Sequence, residues 1–267
     1  MKRLSFLKRL GYLALSAGLA FGASASPISA PHSIALWRVV RGLCMTDMKV
    51  SGHPAPCLEV NPAGYALVRD PQARTEILLV PTTRLVGIES PELQAPGALN
   101  YWQAAWGARR LIEDRVGRQA PREDIGLAIN SAFGRSQDQL HIHIDCVLPE
   151  VKAALEAHAY EIGASWAPLG FALVGKHYRA LRLDGEALGE RDPFKLLAHG
   201  SAEARADMAR QTLAAVGVRS RDGRPGFIVL AATGDTPGNP DGASEALLDH
   251  SCAVLTDPSG GFTSNDR

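Results

Sequence analysis

The stretch GRSQDQLHIHIDC, residues 134–146, sets His141, His143 and Asp145 on one parity and Leu140, Ile142 and Ile144 on the other. Strict alternation is the mark of a strand whose two faces differ. An imidazole at neutral pH can be a nucleophile, a base or a metal ligand. Four readings are therefore open. The histidines decorate a wet strand face, or they bind a metal with Asp145 or His177 completing the set. Alternatively one of them attacks phosphorus, or both are buried core residues. The nucleophile reading also needs donors for phosphate oxygens, best supplied by backbone N–H groups of a Gly/Ser loop. GRSQ lies just upstream of the strand, across a turn from Asn130.

The surrounding pattern gives the elements that must position these groups. SIALWRVVRGL (33–43) reads as a helix capped by Ser33, with Ile34, Trp37 and Val40 on one face. GYALVRD and TEILLVP read as strands joined by the turn DPQAR. A helix is expected over about 98–117, carrying a stripe of Trp102, Ala105, Ala108, Ile112 and Val116. IGLAINS (125–131) and LHIHIDCVL (140–148) are strands, followed by a helix over about 150–162 that Gly163 stops. HYRALRL (177–183) and FIVLAAT are further strands. Asp192-Pro193 opens a helix in PFKLLAH, and Ser201 opens another over about 202–216, closed by Gly217. Antiparallel hairpins with grouped helices predict an α+β fold. The tail DPSGGFTSNDR is expected to fray.

The N-terminus has the pattern of an export leader or N-terminal anchor over residues 1–25. Lys2, Arg3, Lys8 and Arg9 precede an apolar run of about 14 residues that ends in Ala23-Ser24-Ala25. That segment holds four of the 28 basic residues and none of the 28 acidic ones, so the remainder carries 24 against 28, a formal charge of −4. No basic run follows, which leaves nucleic-acid binding without an electrostatic footprint. Residues 26–267 suit one large domain. Cys44, Cys57, Cys146 and Cys252 are an even set for an oxidising compartment and have no zinc-finger spacing. Three pairings are open. Cys44–Cys57 is favoured because both flank the turn-rich TDMKVSGHPAP, which would leave Cys146–Cys252 to tie the histidine strand to the C-terminal region.

GRSQDQLHIH resembles the signature of the histidine-triad nucleotide hydrolases and transferases. In that register Gly134 and Ser136 take the loop positions, seven and five residues before His141, and His141 takes the middle, nucleophilic histidine. His143 takes the third position, while Gln139 stands where the family has its first histidine. A register one step later would make His143 the nucleophile, but it loses the loop spacing. EILLVPTTRLVGIES and the DPQAR hairpin extend the likeness over roughly residues 60–150, beyond which the C-terminal half is an elaboration. Across nearly the whole chain the order of PxPC, NPAGY, LLVPTTRLVGIESP, WQA, INS, GRSQ, HIHIDC and DHSC is similar to the bacterial CDP-diacylglycerol pyrophosphatases, envelope members of that superfamily.

The resemblance implies an antiparallel sheet with packed helices and an exported enzyme of the periplasm, at or anchored to the inner membrane. Its implied substrate is CDP-diacylglycerol at the membrane surface, cleaved to CMP and phosphatidate through a nucleotidyl-histidine, without a cofactor or metal. Catalysis would fall to His141, His143 and Gln139, and phosphate binding to Asn130, Gly134, Arg135, Ser136 and Gln137. Tyr65, Leu67, Leu79 and Pro81 are candidates for a base pocket, and Lys176 joins Arg135 as a candidate for steering the diphosphate. His32, His53, His158, His177, His199 and His250 lie outside any motif. A homodimer is an assembly known in the superfamily. The rival activities are another histidine-triad nucleotide hydrolysis or transfer, and binding of nucleotide or lipid without catalysis.

Overall fold

The computed structural model describes residues 33–234 and 242–256. The expected leader, His32 and the C-terminal tail lie outside them. The chain enters through helix α1 (Ala35–Arg38), which runs on through a π-helical stretch (Val39–Cys44) into α2 (Met45–Ser51). Three strands follow, β1 (Glu59–Asn61), β2 (Tyr65–Arg69) and β3 (Ile77–Pro81). Helices α3 (Tyr101–Ala108) and α4 (Arg110–Val116) lead to β4 (Ile125–Ile129) and β5 (Ile142–Val147). After α5 (Pro149–His158) come β6 (Ala167–Leu173), β7 (Lys176–Asp184), α6 (Pro193–Gly200) and α7 (Ala202–Ala206). The described chain closes with β8 (Gln211–Arg219), β9 (Pro225–Thr233), β10 (Leu248–Asp249) and α8 (Ala253–Thr256).

All ten strands join one sheet in the order β1-β2-β3-β5-β4-β8-β9-β7-β6, with β10 also paired to β5, and every pairing is antiparallel. The fold is α+β, as the hairpin pattern predicts. β3 covers one edge of β5 at Ile142–Ile144, and β10 takes over that edge at Cys146 and Val147.

Helices cover both faces, unevenly. On the front, Leu67, Leu79, Ile142, Ile144 and Cys146 pack with Trp102, Trp106, Ile112 and Phe194 from α3, α4 and α6. On the back there are two separate covers. The N-terminal helix sets Leu36, Val40 and Cys44 on Ala66, Val68, Leu78 and Val80. Helix α5 sets Val151 and Leu155 on Val216, Val218, Ile228 and Leu230. The back of β5 lies between these covers, so a trench opens over His141 and His143.

Four expectations need correction. The buried stripe of the first helix is Leu36, Val40 and Cys44, while Ile34 is exposed, because the helix lies on the back of β2 and β3. The helix expected over 98–117 breaks at Arg109, and its start is capped by Asn100, whose side chain accepts from the Trp102 and Gln103 amides. The helix expected over 202–216 ends at Ala206, and residues 211–219 form a central strand. LAAVGV is apolar without a gap because both faces of β8 are buried, and such a run fits a buried strand as well as a helix. Gly217 is there for space: a Cβ would lie 2.3 Å from the Arg122 carbonyl. Finally, the histidine side of β5 is no wet face, since His141, His143 and Asp145 are 7%, 5% and 0% exposed.

Both favoured disulfides form, Cys44–Cys57 and Cys146–Cys252. The second closes a separation of 106 residues and ties α8 to the middle of the sheet. A Cys146→Ala/Cys252→Ala variant is expected to lose about 4–5 kcal/mol, and the Cys44/Cys57 pair nearer about 3 kcal/mol, by the loop-entropy relation. Urea unfolding of both variants checks the order; equal losses would contradict it.

Candidate active site

The sheet register assembles the site. Val68 pairs with Leu78, Leu78 with His143 and His143 with Ala128, so these four side chains stand abreast on the back face. Two positions further along β4, Asn130 comes level with His141. At the other end, Ile77 pairs with Ile144 and Cys146 with Asp249, which brings Glu76 and His250 together beside Asp145 on the same edge of β5. The segment 242–247 crosses this end of the trench. The Ser131 amide donates to the Gly242 carbonyl, the Ser244 amide to Thr212 Oγ1 and the Leu148 amide to the Leu247 carbonyl, fixing Glu245 over β4 and β5.

The result is a cleft of about 620 Å³. Leu36, Val39, Val68 and Leu78 form its apolar wall. His141, His143, Asn130 and Glu245 form its polar floor, with Gly134, Ser136 and Gln137 at the loop side. The loop is stitched to the start of the N-terminal helix: the Ser33 amide donates to the Ser136 carbonyl, the Asp138 amide to the Ser33 carbonyl and the Leu36 amide to Gln137 Oε1.

His141 and His143 form an edge-on pair, with centroids 4.8 Å apart at 64°. Their environments differ. His141 Nδ1 lies 2.7 Å from the Gln139 carbonyl. A carbonyl can accept and never donate, so Nδ1 carries the proton and a neutral ring keeps its lone pair on Nε2. Burial first, then the charge of His143, pushes the His141 pKa down to about 4. His143 Nδ1 lies 2.7 Å from Glu76 Oε1, and its Nε2 lies 3.5 Å from Glu245 Oε2 with no hydrogen-bond partner. Burial lowers the His143 pKa, but the Glu76 hydrogen bond and the charges of Glu245 and Glu76 outweigh it, so the net shift is upward.

The charges continue behind the pair. His250 Nδ1 is 3.0 Å from Asp145 Oδ2, and its Nε2 is 3.7 Å from Glu245 Oε1. Hydrogen bonds to Asp145 and Glu245 raise its pKa to about 10. Asp145, wholly buried, also accepts from Thr75 Oγ1 at 2.7 Å and from the Cys146 amide at 2.9 Å. Burial opposes ionisation of Glu245, but His250, His143 and Asn130 together bring its pKa down to about 2.

Several expected roles change place. Asn130 spends its side chain on Glu245, donating at 2.7 Å to Oε2 and accepting from the Glu245 amide at 3.2 Å. Arg135 is a loop brace, held by Glu89 at 2.7 Å and Asp138 at 3.0 Å, and does not line the cleft. Gln139 is fully buried away from the cleft, donating to the Pro81 and Thr83 carbonyls and accepting from Arg84. The Gly134 and Arg135 amides are spent on Ser131, whereas the Ser136 and Gln137 amides find no acceptor among the described residues. Gly134 has a steric reason, since a Cβ would meet the Gly242 carbonyl at 2.5 Å. Leu67 and Leu79 belong to the front core together with Tyr65, and Pro81 shares their parity, so the cleft wall is Val68 and Leu78 instead. Lys176 donates to the Ala243 carbonyl. The partners expected for a metal do not converge on the pair: Asp145 hydrogen-bonds with Thr75, Cys146 and His250, and His177 lines a different cavity. Glu76, Glu245 and His250 were missed. The Cys146–Cys252 pairing was the signal that brings His250 to this strand.

A buried neutral imidazole beside a carboxylate-paired one, under a loop whose Ser136 and Gln137 amides find no acceptor among the described residues, is equipment for hydrolysis at a phosphate group. A family model for CDP-diacylglycerol pyrophosphatase matches residues 31–256. A CDP-diacylglycerol pyrophosphatase of Yersinia pestis is 40% identical over 222 residues, 83% of this chain and 84% of that protein. The chain belongs to the CDP-diacylglycerol pyrophosphatase family, and is a hydrolase.

Two of the perturbed histidines, His141 and His250, give stability opposite pH dependences. The folded pKa of His141, about 4, lies below its unfolded value, so its contribution is full above about pH 6.5 and is lost as pH falls toward 4. The folded pKa of His250, about 10, lies above it, so its contribution is full below about pH 6.5 and is lost as pH rises toward 10. Urea unfolding across this range is expected to show a flatter acid side in His141→Gln and a flatter alkaline side in His250→Gln. Identical profiles in both variants and the parent would contradict these environments.

Proposed function

We propose that this protein hydrolyses the pyrophosphate bond of CDP-diacylglycerol to CMP and phosphatidate through a nucleotidyl-histidine intermediate on His141. The observation that carries the mechanism is the 2.7 Å contact between His141 Nδ1 and the Gln139 carbonyl. It fixes the tautomer that presents a lone pair on Nε2, and burial keeps the ring unprotonated at neutral pH. Family membership and the Yersinia pestis relative supply the substrate.

In the first step Nε2 forms a bond to the cytidylyl phosphorus. The bond from that phosphorus to the bridging oxygen breaks, and phosphatidate leaves with the electron pair. In the second step water forms a P–O bond, the P–Nε2 bond breaks, and its electron pair returns to Nε2. The water proton passes to solvent through the open cleft. The Ser136 and Gln137 amides and the Ser136 hydroxyl are the donors for the phosphate oxygens, and His143 adds a donor from the floor. Because the imidazole is itself the nucleophile, the chemistry demands no metal. The apolar wall of Leu36, Val39, Val68 and Leu78 suits a substrate with an apolar portion beside its phosphates.

The likeness to histidine-triad proteins supports the same reading, with Gln139 as a deliberate departure: its side chain braces the 81–84 turn, and its backbone carbonyl orients the nucleophile. Two disulfides fit an oxidising, exported compartment. Among the described residues no helix is long and apolar enough to cross a membrane. A periplasmic enzyme meeting its lipid at the inner-membrane surface fits both facts.

CMP release from CDP-diacylglycerol, followed by 31P NMR with and without EDTA, tests the activity. Release that survives EDTA is expected; release abolished by EDTA would restore a metal mechanism, and none at all would favour a binding protein. His141→Gln is expected to lose roughly three orders of magnitude or more in kcat, and mass spectrometry of acid-sensitive adducts should find cytidylyl on His141 in the parent. Gly134→Ala, which forces its Cβ onto the Gly242 carbonyl, is expected to lower kcat about tenfold or more by displacing the donor loop.

A further inference from the structure

The floor of the cleft holds more ionised groups than an imidazole nucleophile needs. The His143 side chain is buried, yet both its nitrogens face carboxylates, Glu76 at 2.7 Å and Glu245 at 3.5 Å. Glu76 is 2% exposed and comes from the start of β3. Glu245 comes from the C-terminal segment and is shared with His250. A buried carboxylate is costly unless a cation or several donors meet it. Here the cations available to Glu76 are His143 and His250, the latter with Nδ1 3.7 Å from the same Oε1. The groups facing His143 are thus Glu76, Glu245 and His250, with His141 and Asp145 on its own strand.

We propose that Glu76 is a positioning residue that, together with the charge of Glu245, holds His143 as an imidazolium whose Nε2–H, without a hydrogen-bond partner among the described residues, donates to a substrate phosphate oxygen. This rests on the hydrolase reading above and adds the groups that divide the labour between two neighbouring histidines. His141 is served by a carbonyl, which orients it and favours its charged form less than burial and the charge of His143 oppose it. His143 is served by a carboxylate, which favours the cation. A phosphate entering the cleft supplies the acceptor that Nε2 lacks, beside the Glu245 carboxylate at 3.5 Å. Glu245 keeps its bonds to Asn130 and His250 meanwhile, so no carboxylate is left unpaired. A hydrogen bond forms at Nε2, and no covalent bond to His143 forms or breaks. The Cys146–Cys252 bridge supports the assembly, because it fixes to β5 the segment that carries Glu245 and His250.

The Glu76→Gln variant keeps the shape and one acceptor but removes the charge. In the parent the alkaline limb of kcat for CMP release from CDP-diacylglycerol is expected well above pH 7. In Glu76→Gln it should move down by about one pH unit or more, giving about a tenfold loss at pH 8 that recovers toward pH 6. Glu76→Asp should restore part of the shift, and KM should change little in either variant. A Glu76→Gln profile lowered equally at every pH, with the limb unmoved, would overturn the proposal and reduce Glu76 to a packing role. If the parent releases no CMP, the substrate reading fails on its own. The network is then decided by 15N NMR of the histidine rings, which needs no substrate: His143 doubly protonated at pH 7 in the parent and neutral in Glu76→Gln supports it, and His143 neutral in the parent overturns it.

Discussion

The structure turns on gathering two buried imidazoles, two buried carboxylates and the half-buried Glu245 around the back of one strand. Charges removed from water must find partners at hydrogen-bond distance, and here each does so through an element distant in sequence. Glu76 arrives from the β2–β3 hairpin, Asn130 from β4, and Glu245 and His250 from the chain's last described segment. The pairing holds the two histidines in different states although they stand two residues apart. The rest of the fold can be understood as what keeps this cluster dry and in register.

Uneven cover on the back of the sheet provides the access. A single long helix across that face would have made the histidines core residues. Two shorter covers, the N-terminal helix over β2 and β3 and α5 over β8 and β9, leave a gap between them at β5 and β4. The same N-terminal helix that packs Val40 and Cys44 inward supplies Leu36 and Val39 to the cleft wall and anchors the GRSQ loop through Ser33. Binding, shaping of the donor loop and stability of that sheet edge therefore share one element.

Much of this was legible locally. The alternation in LHIHIDC marks a strand, the Gly134 and Ser136 spacing marks a donor loop, and the even cysteine count in an exported-looking chain marks the bridges. Local patterns failed where tertiary burial was two-sided. LAAVGV reads as helix or strand until its neighbours are known, and its position between β4 and β9 decides it. Parity within a strand was readable, but its assignment to a face was not, so Leu67 and Leu79 were placed in the pocket in place of Val68 and Leu78. Arg135 and Gln139 looked available to a ligand because their partners, Glu89 and the carbonyls of Pro81 and Thr83, lie some 50 residues away in the chain.

By itself the sequence determined the residue types capable of chemistry, their spacing on one strand, and the family to which that spacing points. Tertiary structure decided which imidazole titrates below the ordinary histidine value and which above it, because that depends on burial and on whether a carbonyl or a carboxylate lies within about 3 Å of the ring. Such a distance is set by sheet register and by a disulfide spanning 106 residues, and no local pattern encodes it.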